Sequence, residues 1–391
     1  KHFCRSMQLL LAVAALGRPA QPMINVILDT DMSIDVDDVG ALCAAHALAD
    51  RGEVNILAVV HNTGSPVGVG AISVINRYYG RDHIPVGAYK GLVGTADGKP
   101  LSPWGFTRYP PLPPWQIGPY APDLVDNFPS RIRNASQAPE ATELLLSVLA
   151  AADDASVTIV SVGYTTNLHN LLQASGGSGS PSGAALVQQK VTQLVIMGGR
   201  HHFWPGNPVE WNLAGATELA TVCSGGCGPG RTNLGAISNA TIGAWPSGVR
   251  LIWLDFETGV DVWSGSPAMR HHPDTSPCKR AYKTFCKINE GWCHPDGTRC
   301  SWDIQALIYA VRGEEQLYEL EPGHNVIDPT TGINTWTASA PRGVAVPGAR
   351  EFSLHLPRHK YQLVVDEIHS LLRELPALPP PSPPRTAVAF G

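Results

Sequence analysis

Five carboxylates fall within ten residues of this chain, in the run Asp29-Thr30-Asp31-Met32-Ser33-Ile34-Asp35-Val36-Asp37-Asp38. Gathered in a cleft of low dielectric, such groups drive one another's pKa upward and resist ionising unless a cation compensates them. The run holds no histidine or cysteine, so every donor is oxygen, which selects a hard ion such as calcium or magnesium over zinc. A solvated acidic loop has the same composition. What separates the two readings is whether a buried element delivers the run to a cleft.

Such an element precedes it. Residues 24 to 28 form a short apolar run interrupted by Asn25, and 56 to 60 repeat the pattern after a helical stretch from Val39 to Ala49. Two buried strands joined by a helix make a βαβ unit. The alternation returns with a helix over 141–151, a strand over 157–162, a helix over 167–172, a strand over 194–197, a helix over 217–222 and a strand over 249–254. This order predicts an α/β fold: one large domain with a doubly wound, mostly parallel sheet and helices on both faces. Ligands in such sheets sit beyond the carboxyl ends of the strands. There the sequence places Asp29-Thr30-Asp31, then His61-Asn62, then Gly163-Tyr164-Thr165-Thr166-Asn167, then Gly198-Gly199, so several polar loops are expected on one rim.

The 391 residues are ample for a buried core, and 43% hydrophobic against 16% charged residues describe a folded globule. A formal charge of −5 excludes the basic surplus that binds a nucleic acid polymer. No apolar run is long enough for a membrane span. Arg5 followed by the apolar stretch 7–17 has the form of a secretory signal, giving a division into a leader or disordered start (1–22), a catalytic-type domain (23–375) and a Pro-rich tail (376–391). Cys223, Cys227, Cys278, Cys286, Cys293 and Cys300 lie in Gly/Pro-bearing stretches whose spacing suits disulfides in an oxidising compartment. Cys43, in an Ala/Leu run, reads as a buried thiol. Asn134 and Asn239 open sequons that agree with secretion. The sequence leaves a homo-oligomer open.

The arrangement of Asp29, Asp31, Asp37 and Asp38 resembles the N-terminal fingerprint of the calcium-dependent nucleoside hydrolases of the inosine–uridine type. Asn62, Thr166-Asn167, Met197-Gly198-Gly199, Glu210-Trp211-Asn212 and Asp303 follow in that family's order, over roughly residues 24 to 375. The resemblance implies hydrolysis of the N-glycosidic bond of a nucleoside-like small molecule. Asp31, Asp38, Asp303 and the main-chain carbonyl of Thr166 would hold Ca2+, and Asp31 would deprotonate the attacking water. Asp37, Asn62, Asn207, Glu210, Asn212 and the main chain at Met197 would grip the sugar.

Three departures stand out, one of them the stretch Asn207-Pro208-Val209-Glu210, which is shorter between Asn and Glu than the family's usual spacing. The acidic run is longer than the family's by two residues, as though Asp35-Val36 were inserted. Trp302 occupies the position before Asp303 where the family often has a base-activating histidine, which leaves His201, His202 or stacking on Trp302 as ways to release the base. Two rivals remain at this point. One is a magnesium-dependent phosphatase of the haloacid-dehalogenase type, using Asp29 and Asp31 with Lys190 and the Asp255/Glu257 pair. The other is a calcium-dependent sugar-binding protein without catalysis.

Overall fold

The computed structural model describes residues 23–63, 65–90, 95–96, 99–100, 118–177, 179–201, 210–214, 234–314 and 317–377. His202, Asn207, the helix expected over 217–222, Cys223 and Cys227 lie outside these residues, as do the expected leader and nearly all of the Pro-rich tail.

Nine strands form the central sheet: β1 (Ile24–Thr30), β2 (Val54–His61), β3 (Val86–Ala88), β4 (Val157–Val162), β5 (Val191–Met197), β6 (Arg250–Leu254), β7 (Glu319–Ile327), β8 (Asn334–Ala338) and β9 (Glu351–His355). Their order is β8-β7-β9-β6-β5-β4-β1-β2-β3. From β3 to β9 every pairing is parallel. β7 and β8 continue the edge antiparallel. The mostly parallel α/β sheet expected from the alternation is therefore observed.

β1 shows why these residues make a central strand. Being covered on both faces, it alternates between two cores: Val26 and Leu28 pack into one, Ile27 into the other. The first core takes the helices Asp37–Asp50 and Asp303–Arg312, and the second takes Ala141–Ala151, Thr166–Gln173 and Gly183–Lys190. The Asp37–Asp50 helix is apolar nearly all round and buried along almost its whole length, as expected for a helix enclosed within the molecule. At Gly40 an added Cβ would meet the Ile304 side chain and the Tyr282 hydroxyl at 2.5 Å each. The absent side chain lets the Asp303–Arg312 helix close against the Asp37–Asp50 helix, so that Asp303 approaches Asp37 and Asp38.

The cysteine chemistry differs from expectation. Cys43 is not a plain thiol: it is bonded to Cys278, tying the Asp37–Asp50 helix to the Pro277–Ile288 helix. Cys286 pairs with Cys293, and among the described residues the buried Cys300 has no disulfide partner. A buried partner at a separation of 235 residues has no local sequence signal. Of the two sequons, Asn239 lies inside the Leu234–Gly243 helix and its amide donates to the Ile327 carbonyl at 2.7 Å, which commits the nitrogen a glycan would need. Among the described residues no helix is long and apolar enough to cross a membrane.

Candidate active site

The acidic run leaves β1 and turns sharply before the Asp37–Asp50 helix. Ser33 carries a φ of 101°, a backbone state that costs a non-glycine residue. The Tyr120 hydroxyl secures this turn, accepting from the Ser33 amide at 2.6 Å and donating to the Asp35 carbonyl at 2.6 Å. The result is an acidic loop pinned by a buried phenol rather than left in solvent, which removes the solvated-loop alternative.

Asp31, Asp37, Asp38 and Asp303 are all nearly inaccessible and line a cavity of about 550 Å³. Asp37, Asp38 and Asp303 bring carboxylate oxygens within 4.8 Å of one another, and Asp31 is in hydrogen-bonding range of Asp38. Asp37 accepts from the Trp302 and Asp303 amides at 3.0 and 3.3 Å. One Asp38 oxygen accepts from Thr30 Oγ1, while the other is buried with no partner among the described residues. Burial first, then the neighbouring carboxylates, raise Asp31, Asp38 and Asp303 well above the usual range. Asp37 is pushed up to about 7, chiefly by burial and then by Asp35. An orphaned carboxylate oxygen among three carboxylates that cannot all ionise is a donor set that fits a hard cation. Asp37, expected on the sugar, stands in the tightest triplet.

Behind the loop lies a network absent from the sequence reading. Asp29, within β1, accepts from Ser161 Oγ at 2.8 Å and Asn167 Nδ2 at 2.9 Å, and burial lifts it to about 6. Asn62 accepts from the Tyr164 amide at 3.2 Å, and its carbonyl receives the Thr166 hydroxyl at 2.6 Å. A Cβ at Gly163 would sit 2.7 Å from both the Asn62 amide oxygen and the Asp31 nitrogen, so this glycine permits the loops to meet. Asn62 and Thr166 thus brace the Asp31 segment from behind, and their side chains do not line the cavity.

Met197, Glu210 and Asn212 line the cavity beside the carboxylates. Glu210 accepts from the amides of Gly199, Asn212 and Leu213 at 2.9–3.1 Å and so caps the short Trp211–Ala214 helix. Burial still raises it to about 6. Asn212 Nδ2 donates to the Met197 carbonyl at 3.1 Å. The sugar contact expected at the Met197 main chain is therefore shared with Asn212.

The rest of the cavity wall is aromatic. Trp302 gives its indole N–H to the Phe256 carbonyl at 2.7 Å and packs on the Phe256 ring at 5.4 Å. Arg200 lies over that ring at 3.8 Å. Trp263 and Trp292 complete the wall, together with Arg299. His201 is elsewhere. Its ring stacks on Trp336, with Nδ1 2.6 Å from Ser353 Oγ and 3.3 Å from Asp255, and it does not line the cavity.

The same geometry separates the hydrolase from the phosphatase rival. Lys190, which would have met a phosphate, sits before the first residue of β5 and pairs with Asp154 at 2.7 Å, at the opposite end of the sheet from the carboxylates. The model of the inosine–uridine preferring nucleoside hydrolases matches residues 26–222. The chain belongs to this family. Its fold is shared with solved nucleoside hydrolases. A plant enzyme matches at 16% identity with a TM-score of 0.59, covering 92% of this chain and 100% of that one. The inosine–uridine preferring enzyme of Bacillus anthracis gives 16% and 0.58, over 90% and 99%. A purine-preferring ribonucleoside hydrolase of Gardnerella vaginalis gives 16% and 0.59, over 89% and 99%. No curated protein matches. For this nucleoside hydrolase, Trp302 was expected at the base from its place before Asp303, whereas Phe256, Trp263, Trp292 and Arg299 were not, because they lie outside the acidic fingerprint and meet only in the fold.

Proposed function

We propose that the protein hydrolyses the N-glycosidic bond of a ribonucleoside with calcium as cofactor. Asp31, Asp38, Asp303 and the Thr166 main-chain carbonyl would hold the ion, with Asp37 against them. The supporting observation is the meeting of carboxylates from the β1 loop and from the Asp303–Arg312 helix in one cavity, with an Asp38 oxygen left unpartnered. The ion, when bound, supplies the positive charge that keeps these carboxylates ionised.

Asp31 takes the proton of the attacking water as its oxygen bonds to the anomeric carbon. The bond to the base nitrogen breaks with its electron pair leaving on the base, and the sugar passes through an oxocarbenium-like state whose positive charge the carboxylates stabilise. Asp37, Asn212, Glu210, Asn207 and the Met197 main chain orient the sugar hydroxyls, and Asn62 acts by bracing the Asp31 loop. The two disulfides among the described residues favour an oxidising compartment and support secretion.

The test is reducing-sugar release from a panel of purine and pyrimidine ribonucleosides, with calcium and then with chelator, beside a generic phosphatase substrate with magnesium. Calcium-dependent ribose release is expected. Phosphate release would overturn the reading, and silence on both would leave a binding protein.

A further inference from the structure

We propose that Arg299 stabilises the departing base in place of a proton donor, which directs this site to bases that leave with negative charge delocalised onto a ring carbonyl. The inference rests on the hydrolase reading above.

Arg299 belongs to the short Thr298–Cys300 strand and lines the cavity that holds the carboxylates. Asp35 grips it on one side: Nε lies 3.0 Å from both carboxylate oxygens, and Nη2 bonds Oδ2. Nη1 donates to the Trp292 carbonyl at 3.2 Å. A guanidinium has five N–H bonds in a fixed plane. These contacts leave one hydrogen on each terminal nitrogen. The guanidinium carbon sits 5.1 Å from the Trp302 ring centre and 5.5 Å from that of Trp292, so both rings fix its position.

Two of the departures of the sequence from the family pattern meet here. Asp35 lies in the two-residue lengthening of the acidic run, and Trp302 replaces the histidine. Through the ion pair, the extra aspartate holds a cation across the face of the ring that displaced the proton donor. Arginine keeps its proton at any working pH, so Arg299 cannot act as a general acid. What it offers is fixed N–H dipoles toward charge that develops as the glycosidic bond breaks. The electron pair of that bond goes to the ring nitrogen and spreads to a carbonyl oxygen of the base. The base takes its proton from a second water after departure, the hydroxide left behind receives the proton that Asp31 took, and the attacking water supplies the hydroxyl on the sugar.

A pyridinium riboside provides the control, because its base leaves as a neutral molecule and develops no negative charge. The experiment measures kcat/KM of the calcium-loaded enzyme for inosine, uridine and nicotinamide riboside, in wild type, Arg299→Met and Arg299→Lys, with thermal melts on each. Arg299→Met should lower inosine and uridine hydrolysis about 10²- to 10³-fold, the loss typical of one removed donor to a developing anion. Nicotinamide riboside should change by less than about threefold by the same reasoning, since no anion forms. Arg299→Lys should recover part of the loss. An equal fall on all three substrates would overturn the inference and make Arg299 an anchor of the acidic loop, as would no change on any. If wild type releases ribose from none of the three, the hydrolase reading itself fails, and the inference with it.

Discussion

The oxygen atoms of four aspartates decide what this site can do, and they do not play equal parts. Asp31 touches Asp38 and lines the cavity, whereas Asp37 is committed through two backbone amides to the start of the Asp303–Arg312 helix. Asp31→Asn keeps an oxygen that can ligate and removes the atom that accepts a proton. Turnover should fall by roughly 10³-fold or more, as for loss of a general base, while calcium affinity by isothermal titration falls far less. Equal loss of both would make Asp31 a purely structural ligand. The acidic fingerprint was readable because five carboxylates after an apolar strand are a local pattern. Arg299 was not, since its partner Asp35 is 264 residues away, and nothing near position 299 announces the pairing. His201 shows the converse: its position after the Gly198-Gly199 turn suggested an acid, yet the fold stacks it on Trp336 and turns it to Asp255.

Elements bring these residues together, and two small features hold them there. Gly40 sets the distance between the helices that carry Asp38 and Asp303. Gly40→Val would place methyl groups where Ile304 and the Tyr282 hydroxyl already stand at 2.5 Å from a Cβ. Overpacking of this kind typically costs about 1–3 kcal/mol, and the displaced Asp303 should weaken calcium binding more than it lowers the melting temperature. Tyr120 holds the strained Ser33 turn from a different helix. Tyr120→Phe removes the group that joins the Ser33 amide to the Asp35 carbonyl, at about 1–3 kcal/mol for a buried donor left unpaired, and KM should rise as the acidic loop loosens. The βαβ alternation made five of the seven parallel strands legible, since a fully buried strand reads as a continuous apolar run; β3 has only three residues and β9 alternates in burial, and neither was read. The edge strands β7 and β8 escaped notice, because their burial alternates or is partial along the strand and so gives no such run.

For the whole molecule, the balance is between one long covalent tie and several buried charges. The Cys43–Cys278 bond closes a loop of 235 residues, and losing a native disulfide costs about 2–5 kcal/mol; Cys43→Ala should lower the melting temperature without changing the carboxylates' geometry. The buried acids act in the opposite sense. Asp29 is pushed up to about 6, Asp37 to about 7 and Glu210 to about 6, against ordinary values of 3.8, 3.8 and 4.5, with burial as the largest cause in each. Between roughly pH 4 and 7 the folded protein therefore binds more protons than the unfolded chain, so its stability falls as pH rises through that window. Below it both states are protonated and the full stability is present. A calcium ion would replace the protons on the carboxylates that face it, Asp37 among them, and lower their pKa values, which flattens the slope. Chelated protein should melt at a distinctly lower temperature at pH 8 than at pH 5, and calcium should restore most of the difference at pH 8 while adding little at pH 5. A chelated protein equally stable at both would mean that the cluster stays ionised without a cation, and the metal assignment would lose its physical ground.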